Sequence, residues 1–167
     1  MTQTPPGTVE QRLVALEQIE AIKRLKYRYF RSCDAKDPET FRSCFIAGGA
    51  DIDYGPLGGF SGPDQADQIA DVFRRIALHT VGGKPAVVDM HHGLHPEIIL
   101  IEPDRATGCW TLKFRQVNLV EHTERVLTGE YDDEYVIEDG VWKIARCHFR
   151  QLWSITRPLG ADATVEC

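Results

Sequence analysis

The order of the sequence patterns constrains the fold of this chain more than any other feature. Helical periodicity dominates residues 9–76, interrupted by one short strand-like segment, whereas alternating apolar and polar residues dominate residues 87–153. Asp139-Gly140 separates two of the alternating segments and is a strong signal for a tight hairpin. We therefore predict an α+β fold in which helices lie across a curved, mostly antiparallel sheet and enclose a pocket.

Local signals give the bounds of the predicted elements. A second helix opens at Asp37-Pro38, because aspartate is a good N-cap and proline suits the first helical position. We expect a single domain over residues 1–167, with a disordered leader at 1–8 and a C-terminal tail at 154–167. The predicted helices cover 9–33, 38–47 and a segment starting at 61–64, and the predicted strands cover 50–54, 87–101, 107–120, 128–137 and 141–153.

Composition narrows the class of protein and its partners. The net charge of −6 argues against nucleic acid, since phosphate contacts need a basic face. No apolar run is long enough to cross a membrane, and the first ten residues lack the features of a signal peptide. The five cysteines are scattered and form no Cys-x-x-Cys pair, which is typical of the reducing cytoplasm. They are Cys33, Cys44, Cys109, Cys147 and Cys167.

Asp34 breaks a local rule at the end of the first predicted helix. Tyr29 and Cys33 lie on the apolar stripe of this helix, and Asp34 falls at the edge of the stripe in the last turn. An anion at the negative end of the helix dipole costs about 0.3–1 kcal/mol, and such violations concentrate at functional sites. Asp34 therefore belongs either to a site beside Tyr29 or to a surface ion pair with Arg31 or Lys36.

Three of the six histidines lie close together: His91, His92 and His95. Gly93 and Pro96 disfavour a helix there, and in a strand the first and third histidine lie ~13 Å apart, which is too far to share a metal ion. We therefore predict no metal site. One inward histidine on a pocket-lining strand suits acid–base chemistry, and the competing interpretation is a histidine of the core or rim. The sequence also lacks a serine nucleophile elbow, a phosphate loop and a dinucleotide fingerprint.

Four segments of the chain resemble one protein family. Residues 19–34 (IEAIKRLKYRYFRSCD) resemble the opening helix of SnoaL-like, nuclear-transport-factor-like proteins. Residues 90–98 and 106–112 are similar to the histidine-bearing strand and its neighbour in the dehydratase branch, which includes bile-acid 7α-dehydratase and scytalone dehydratase. Trp142-x-Ile144 resembles the final strand, so the likeness covers residues 15–150.

The resemblance implies a cone-shaped α+β barrel of the cystatin-like type, trimeric assembly and lyase chemistry without a cofactor. The active-site tyrosine and aspartate of the family match Tyr29 and Asp34, and its first histidine matches His91. A pocket tyrosine matches Tyr54 through a shorter segment. The second catalytic histidine of the scytalone enzyme has no clear counterpart. His95, His122 and His148 are candidates by residue type alone, and the loop at 55–59 could reshape the pocket mouth.

The leading functional hypothesis is a dehydratase that removes water from a hydroxylated cyclic substrate, either steroid-like or an aromatic or polyketide compound. His91 would take a proton, Asp34 would fix its tautomer, and Tyr29 or Tyr54 would assist the developing oxyanion or the departing hydroxide. An isomerase, cyclase or epoxide hydrolase of the same fold is an alternative. A non-catalytic small-molecule carrier or partner subunit is another, and it would lack a coupled acid–base pair.

Overall fold

A computed structural model describes residues 7–55, 60–160 and 162–166 of the chain. Three sequence predictions fall partly outside these ranges. Residues 1–6 of the expected leader, 56–59 of the loop at the expected pocket mouth, and 161 and 167 of the expected tail are not among the described residues. Gly7 and Thr8 are described, and Thr8 caps the first helix instead of belonging to a disordered leader.

Three helices form where the sequence places them. Helix α1 spans Val9–Asp34 and begins with a capping box between Thr8 and Gln11. Helix α2 spans Pro38–Ser43, and the Asp37 side chain accepts a hydrogen bond from the Thr40 N–H. Helix α3 spans Gln65–Ala77. Helix α2 is shorter than predicted because the chain beyond Ser43 leaves the helix, and residues 44–46 bond to the backbone of Ile144.

Five strands form one curved sheet, as the alternation predicts. The strands are β1 (Asp51–Asp53), β4 (Val87–Glu102), β5 (Arg105–Asn118), β6 (Thr123–Glu138) and β7 (Val141–Pro158). The strand order is β1-β7-β6-β5-β4, with β1 parallel to β7 and the other neighbours antiparallel. The mixed α+β class and the antiparallel meander are confirmed.

Three details of the strands differ from the prediction. Strand β6 begins at Thr123, five residues before the predicted start at residue 128. Strand β7 continues to Pro158, so a tail starting at residue 154 is wrong by five residues. The extra residues pair with the start of β6, from Leu127–Ser154 to Thr123–Pro158, and their side chains stay exposed. Because these residues are paired through backbone hydrogen bonds and neither face is buried, their sequence does not alternate between apolar and polar side chains. The sequence also did not predict the two-stranded ribbon of β2 (Thr80–Val81) and β3 (Lys84–Pro85).

The concave face of the sheet packs against the helices, and its buried side chains follow strand register. At one end of this face Trp110, Tyr135 and Ile144 are fully buried. Toward the other end the rows become progressively more polar, through His91, Phe114 and Leu127 to Asp89, Gln116 and Arg125. The convex face exposes large apolar side chains, namely Met90, Leu94, Ile99, Ile101, Leu152, Trp153 and Ile155. None of the helices in the described ranges is long and apolar enough to cross a membrane.

Candidate active site

A cavity of about 250 Å³ lies between the helices and the concave face of the sheet. Tyr29 from α1, Tyr54 after β1 and His91 from β4 all line it, so the fold brings three of the four predicted site residues to one space. Asp34 lies behind His91 and is not itself part of the lining. Apolar side chains of α3 and of the sheet form most of the remaining wall.

Asp34 and His91 form a close hydrogen-bonded pair. The Asp34 Oδ1 atom lies 2.6 Å from His91 Nδ1, and the backbone N–H of His91 donates to both carboxylate oxygens, at 3.0 and 3.2 Å. A carboxylate only accepts, so Nδ1 carries the proton and Nε2 of the neutral imidazole is left free to take one. The anion at the end of α1 therefore faces donors of β4, and the surface pairing with Arg31 or Lys36 is wrong.

The imidazole of His91 is held between two aromatic rings. Phe30 stacks on it with a centroid distance of 6.1 Å and an interplanar angle of 19°, and the Phe114 ring lies 4.7 Å away. Gly93 makes room for Phe30, because a Cβ at that position would lie 2.3 Å from Phe30 Cε2. The packing and the bonds to Asp34 together fix the direction of the free nitrogen.

Tyr29 and Tyr54 present a pair of buried hydroxyls. Their oxygens lie 2.7 Å apart, and the Tyr54 hydroxyl donates to Cys147 Sγ over 3.7 Å. Burial raises the pKa of both tyrosines well above the ordinary value. The two hydroxyls therefore stay protonated at neutral pH and can donate hydrogen bonds. Tyr131, the neighbour of Tyr29 on β6, also has a pKa raised by burial.

A buried ion pair that no sequence motif indicated lies beneath these tyrosines. Lys26 Nζ lies 2.7 Å from Asp133 Oδ2, and both side chains are 0% exposed. The Tyr135 hydroxyl donates to the same carboxylate oxygen at 2.6 Å. The ammonium group also lies over the Tyr131 and Tyr29 rings, at 3.8 and 4.5 Å from their centroids. The pair thus anchors α1 to β6 directly below the cavity.

A row of polar side chains crosses the sheet at the other end of the cavity. Lys36 donates to Asp89, and Gln116 Nε2 donates to the second oxygen of Asp89 at 2.8 Å. Arg125 faces Gln116 across the strands, and its Nη2 donates to Gln151 Oε1 at 2.8 Å. All five side chains line the cavity, so the wall is polar at this end and apolar below. Charge at strand ends is common on any surface, which is why the sequence did not single out this row.

A family model now places this chain among known proteins. The model of the SnoaL-like domain matches residues 14–148, which is more than half of the chain. The chain belongs to the SnoaL-like family. The recognition made from the motifs is confirmed, whereas a comparison with curated protein sequences finds no significant match.

Solved structures share the fold of this SnoaL-like protein at low sequence identity. A scytalone dehydratase-like protein from Novosphingobium aromaticivorans is 20% identical, with a TM-score of 0.72 and coverage of 92% of this chain and 98% of that one. The hexachlorocyclohexane dehydrochlorinase LinA-type3 from Novosphingobium barchaimii is 18% identical, with a TM-score of 0.72 and coverage of 93% and 99%. A Nostoc punctiforme protein with a cystatin-like fold is 18% identical, with a TM-score of 0.59 and coverage of 82% and 92%. These likenesses confirm the cone-shaped, cystatin-like fold.

The three candidates for a second site histidine do not line the cavity. His95 is exposed and has a positive φ of 50° at an irregularity of β4. His122 is exposed in the turn between β5 and β6. His148 Nε2 lies 2.9 Å from Asp51 Oδ2, also away from the cavity. In the part of the chain that the structure describes, no group of three or more His, Cys, Asp or Glu side chains could hold a metal ion.

Proposed function

We propose that this SnoaL-like protein is a cofactor-independent lyase that removes water from a hydroxylated cyclic compound. The observation that carries the proposal is the Asp34–His91 pair, in which the carboxylate holds Nδ1 at 2.6 Å and leaves Nε2 as a base. The cavity beside the pair is lined mostly by apolar side chains, which favours a cyclic hydrocarbon skeleton over a sugar or a nucleotide.

The proposed reaction removes a proton and a hydroxyl group from adjacent carbons. His91 Nε2 takes the proton, which a neighbouring carbonyl acidifies, and the electron pair of the broken C–H bond forms the new C=C bond. The C–O bond breaks, and its electron pair leaves with the oxygen. The proton held by the imidazolium then joins the departing hydroxide, so the products are an unsaturated ring and one water. Asp34 stabilises the imidazolium between these two proton transfers.

The tyrosine pair favours oxygen as the leaving group. Hydroxide is a poor leaving group, and a hydrogen bond that strengthens as charge develops lowers the barrier to its departure. The raised pKa values of Tyr29 and Tyr54 keep both hydroxyls available as donors. Relatives of this fold are named for the loss of water and for the loss of hydrogen chloride, and both reactions are eliminations.

The test is a panel of purified variants on cyclic β-hydroxy carbonyl compounds, with product identified by mass spectrometry as the loss of one water. His91→Ala removes the base, so turnover should fall by at least ~10²-fold. Asp34→Asn should also reduce turnover strongly, because the amide permits the wrong imidazole tautomer. Tyr29→Phe keeps the ring packing and removes only the hydroxyl. His92→Ala is the matched control, since His92 is exposed on the opposite face of the same strand.

The outcomes separate the proposal from its alternatives. Circular dichroism should show that the His91→Ala variant folds. Full turnover in that folded variant would refute the role of His91 as the base. Binding of cyclic ligands without any chemical change would favour the carrier. An isomerised product of unchanged mass would favour an isomerase. A chelator should leave turnover unchanged, and inactivation reversed by added zinc would show a metal-dependent reaction instead.

A further inference from the structure

Arg125 carries a positive charge at the cavity that no carboxylate balances in the described part of the chain. Its guanidinium donates to the neutral amide of Gln151, and no described Asp or Glu lies within ion-pair distance of it. Asp89, the acidic group of the same polar row, is already matched by Lys36. The polar row therefore has a net charge of +1, and the unbalanced charge is that of Arg125, which lines the cavity from β6.

The acidic residue next to Arg125 in the sequence, Glu124, lies on the other side of the sheet. Glu124 points to the convex face, where it pairs with Arg115 and Arg157. Strand alternation places Arg125 on the concave face with Leu127, and both line the cavity. The charge of Arg125 is thus offered to a ligand and not to the surface network next to it.

We propose that Arg125, with Gln151, binds a carboxylate on the substrate of this site. A guanidinium presents paired N–H donors that match the two oxygens of a carboxylate, and partial burial strengthens this bond relative to water. The apolar rows below would hold the ring of the same molecule, with His91 between the ring and the polar row. The inference rests on the proposed function, and it defines the substrate as a cyclic hydroxy acid.

The cavity volume sets the size of that acid. At about 250 Å³ the cavity is slightly smaller than the usual range for small-molecule sites, which runs from about 300 to 1,000 Å³. One or two rings with a carboxylate fit such a space better than a four-ring steroid. The substrate class is therefore a one- or two-ring hydroxy acid, with the carboxylate at the polar row and the reacting carbons beside His91.

The test compares two ligands of equal shape, 2-naphthoate and the neutral 2-naphthamide, by titration calorimetry. Neither can be dehydrated, so binding is measured apart from turnover. The wild type should bind the carboxylate at least about tenfold more tightly than the amide, the usual scale of one charged hydrogen-bonded pair. Arg125→Gln should abolish the preference, and Arg125→Lys should retain part of it. Arg115→Gln is the control, because Arg115 carries the same charge on the convex face.

Each outcome decides the inference. Equal binding of the two ligands to the wild type, binding of neither ligand, or a preference that survives in Arg125→Gln would overturn it. Failure of the proposed lyase is seen separately, through the turnover of the His91→Ala variant. The protein could prefer the carboxylate through Arg125 and still show no dehydration activity. That result would support the carboxylate subsite and refute only the proposed lyase reaction.

Discussion

The buried Lys26–Asp133 pair yields a quantitative prediction about stability. Lys26→Met keeps the length of the side chain and removes its charge, so the Asp133 carboxylate stays buried without a counter-ion. Only the Tyr135 hydroxyl then bonds Oδ2, and Oδ1 has no hydrogen-bond partner among the described residues. Breaking a buried pair by removing one partner typically costs about 3–5 kcal/mol. For a chain of this size that loss lowers the melting temperature by about 6–20 °C.

The assay is a double-mutant cycle in urea at one fixed protein concentration, since assembly would shift apparent stability. Asp133→Asn should cost a similar amount as Lys26→Met, because it leaves the ammonium group unpaired instead. The double variant removes both charges, and its free energy of unfolding should exceed that of either single variant. Acidification should recover part of the Lys26→Met loss, since protonation neutralises the carboxylate. A loss below about 1 kcal/mol in Lys26→Met, or strict additivity in the cycle, would refute the reasoning.

Two further predictions concern the tyrosines and the assembly. Raised pKa values mean that the folded protein binds more protons than the unfolded chain above pH ~10, so the free energy of unfolding should fall as the pH rises beyond that value. Tyr54→Phe should make this fall shallower, and a tyrosinate absorbance titration that matches free tyrosine would contradict the prediction. Sedimentation equilibrium should show a homotrimer that covers apolar residues of the convex face such as Trp153 and Ile155. A monomer at micromolar concentration would refute that assembly.

Much of the fold could be predicted from local sequence patterns. The hairpin at Asp139-Gly140 and the cap at Asp37-Pro38 depend on backbone preferences of single residues, and both form as predicted. The end of β7 could not be predicted, because its last residues are held by backbone bonds with exposed side chains. The shortening of α2 depends on a bridge between Phe45 and Ile144, which lie far apart in the chain.

The candidate site was predictable where it matched a motif and not where it depended on buried charge. Asp34 and His91 were paired through the family resemblance, and the structure places them 2.6 Å apart. Lys26 lies four residues after Ile22 on the apolar stripe of α1, and Asp133 alternates with two inward tyrosines. Their positions among apolar and aromatic residues were the only sequence signals that Lys26 and Asp133 are buried. A single charge on an apolar face usually extends to solvent, so burial becomes visible only when the partner strand is in place.

The 2.7 Å contact between Tyr29 and Tyr54 determines which hydrogen-bonding group the tyrosine pair presents to the cavity. Either hydroxyl can be the donor, and rotation of two O–H bonds exchanges the roles without moving a ring. With Tyr54 donating to Tyr29, the Tyr29 O–H is free to donate to an oxygen of a ligand in the cavity. With the order reversed, Tyr29 donates to Tyr54 and Tyr54 donates to Cys147, so the Tyr29 oxygen can accept a hydrogen bond from a hydroxyl group in the cavity. The same two residues can therefore bond a carbonyl oxygen, which needs a donor, or a hydroxyl group, which can itself donate.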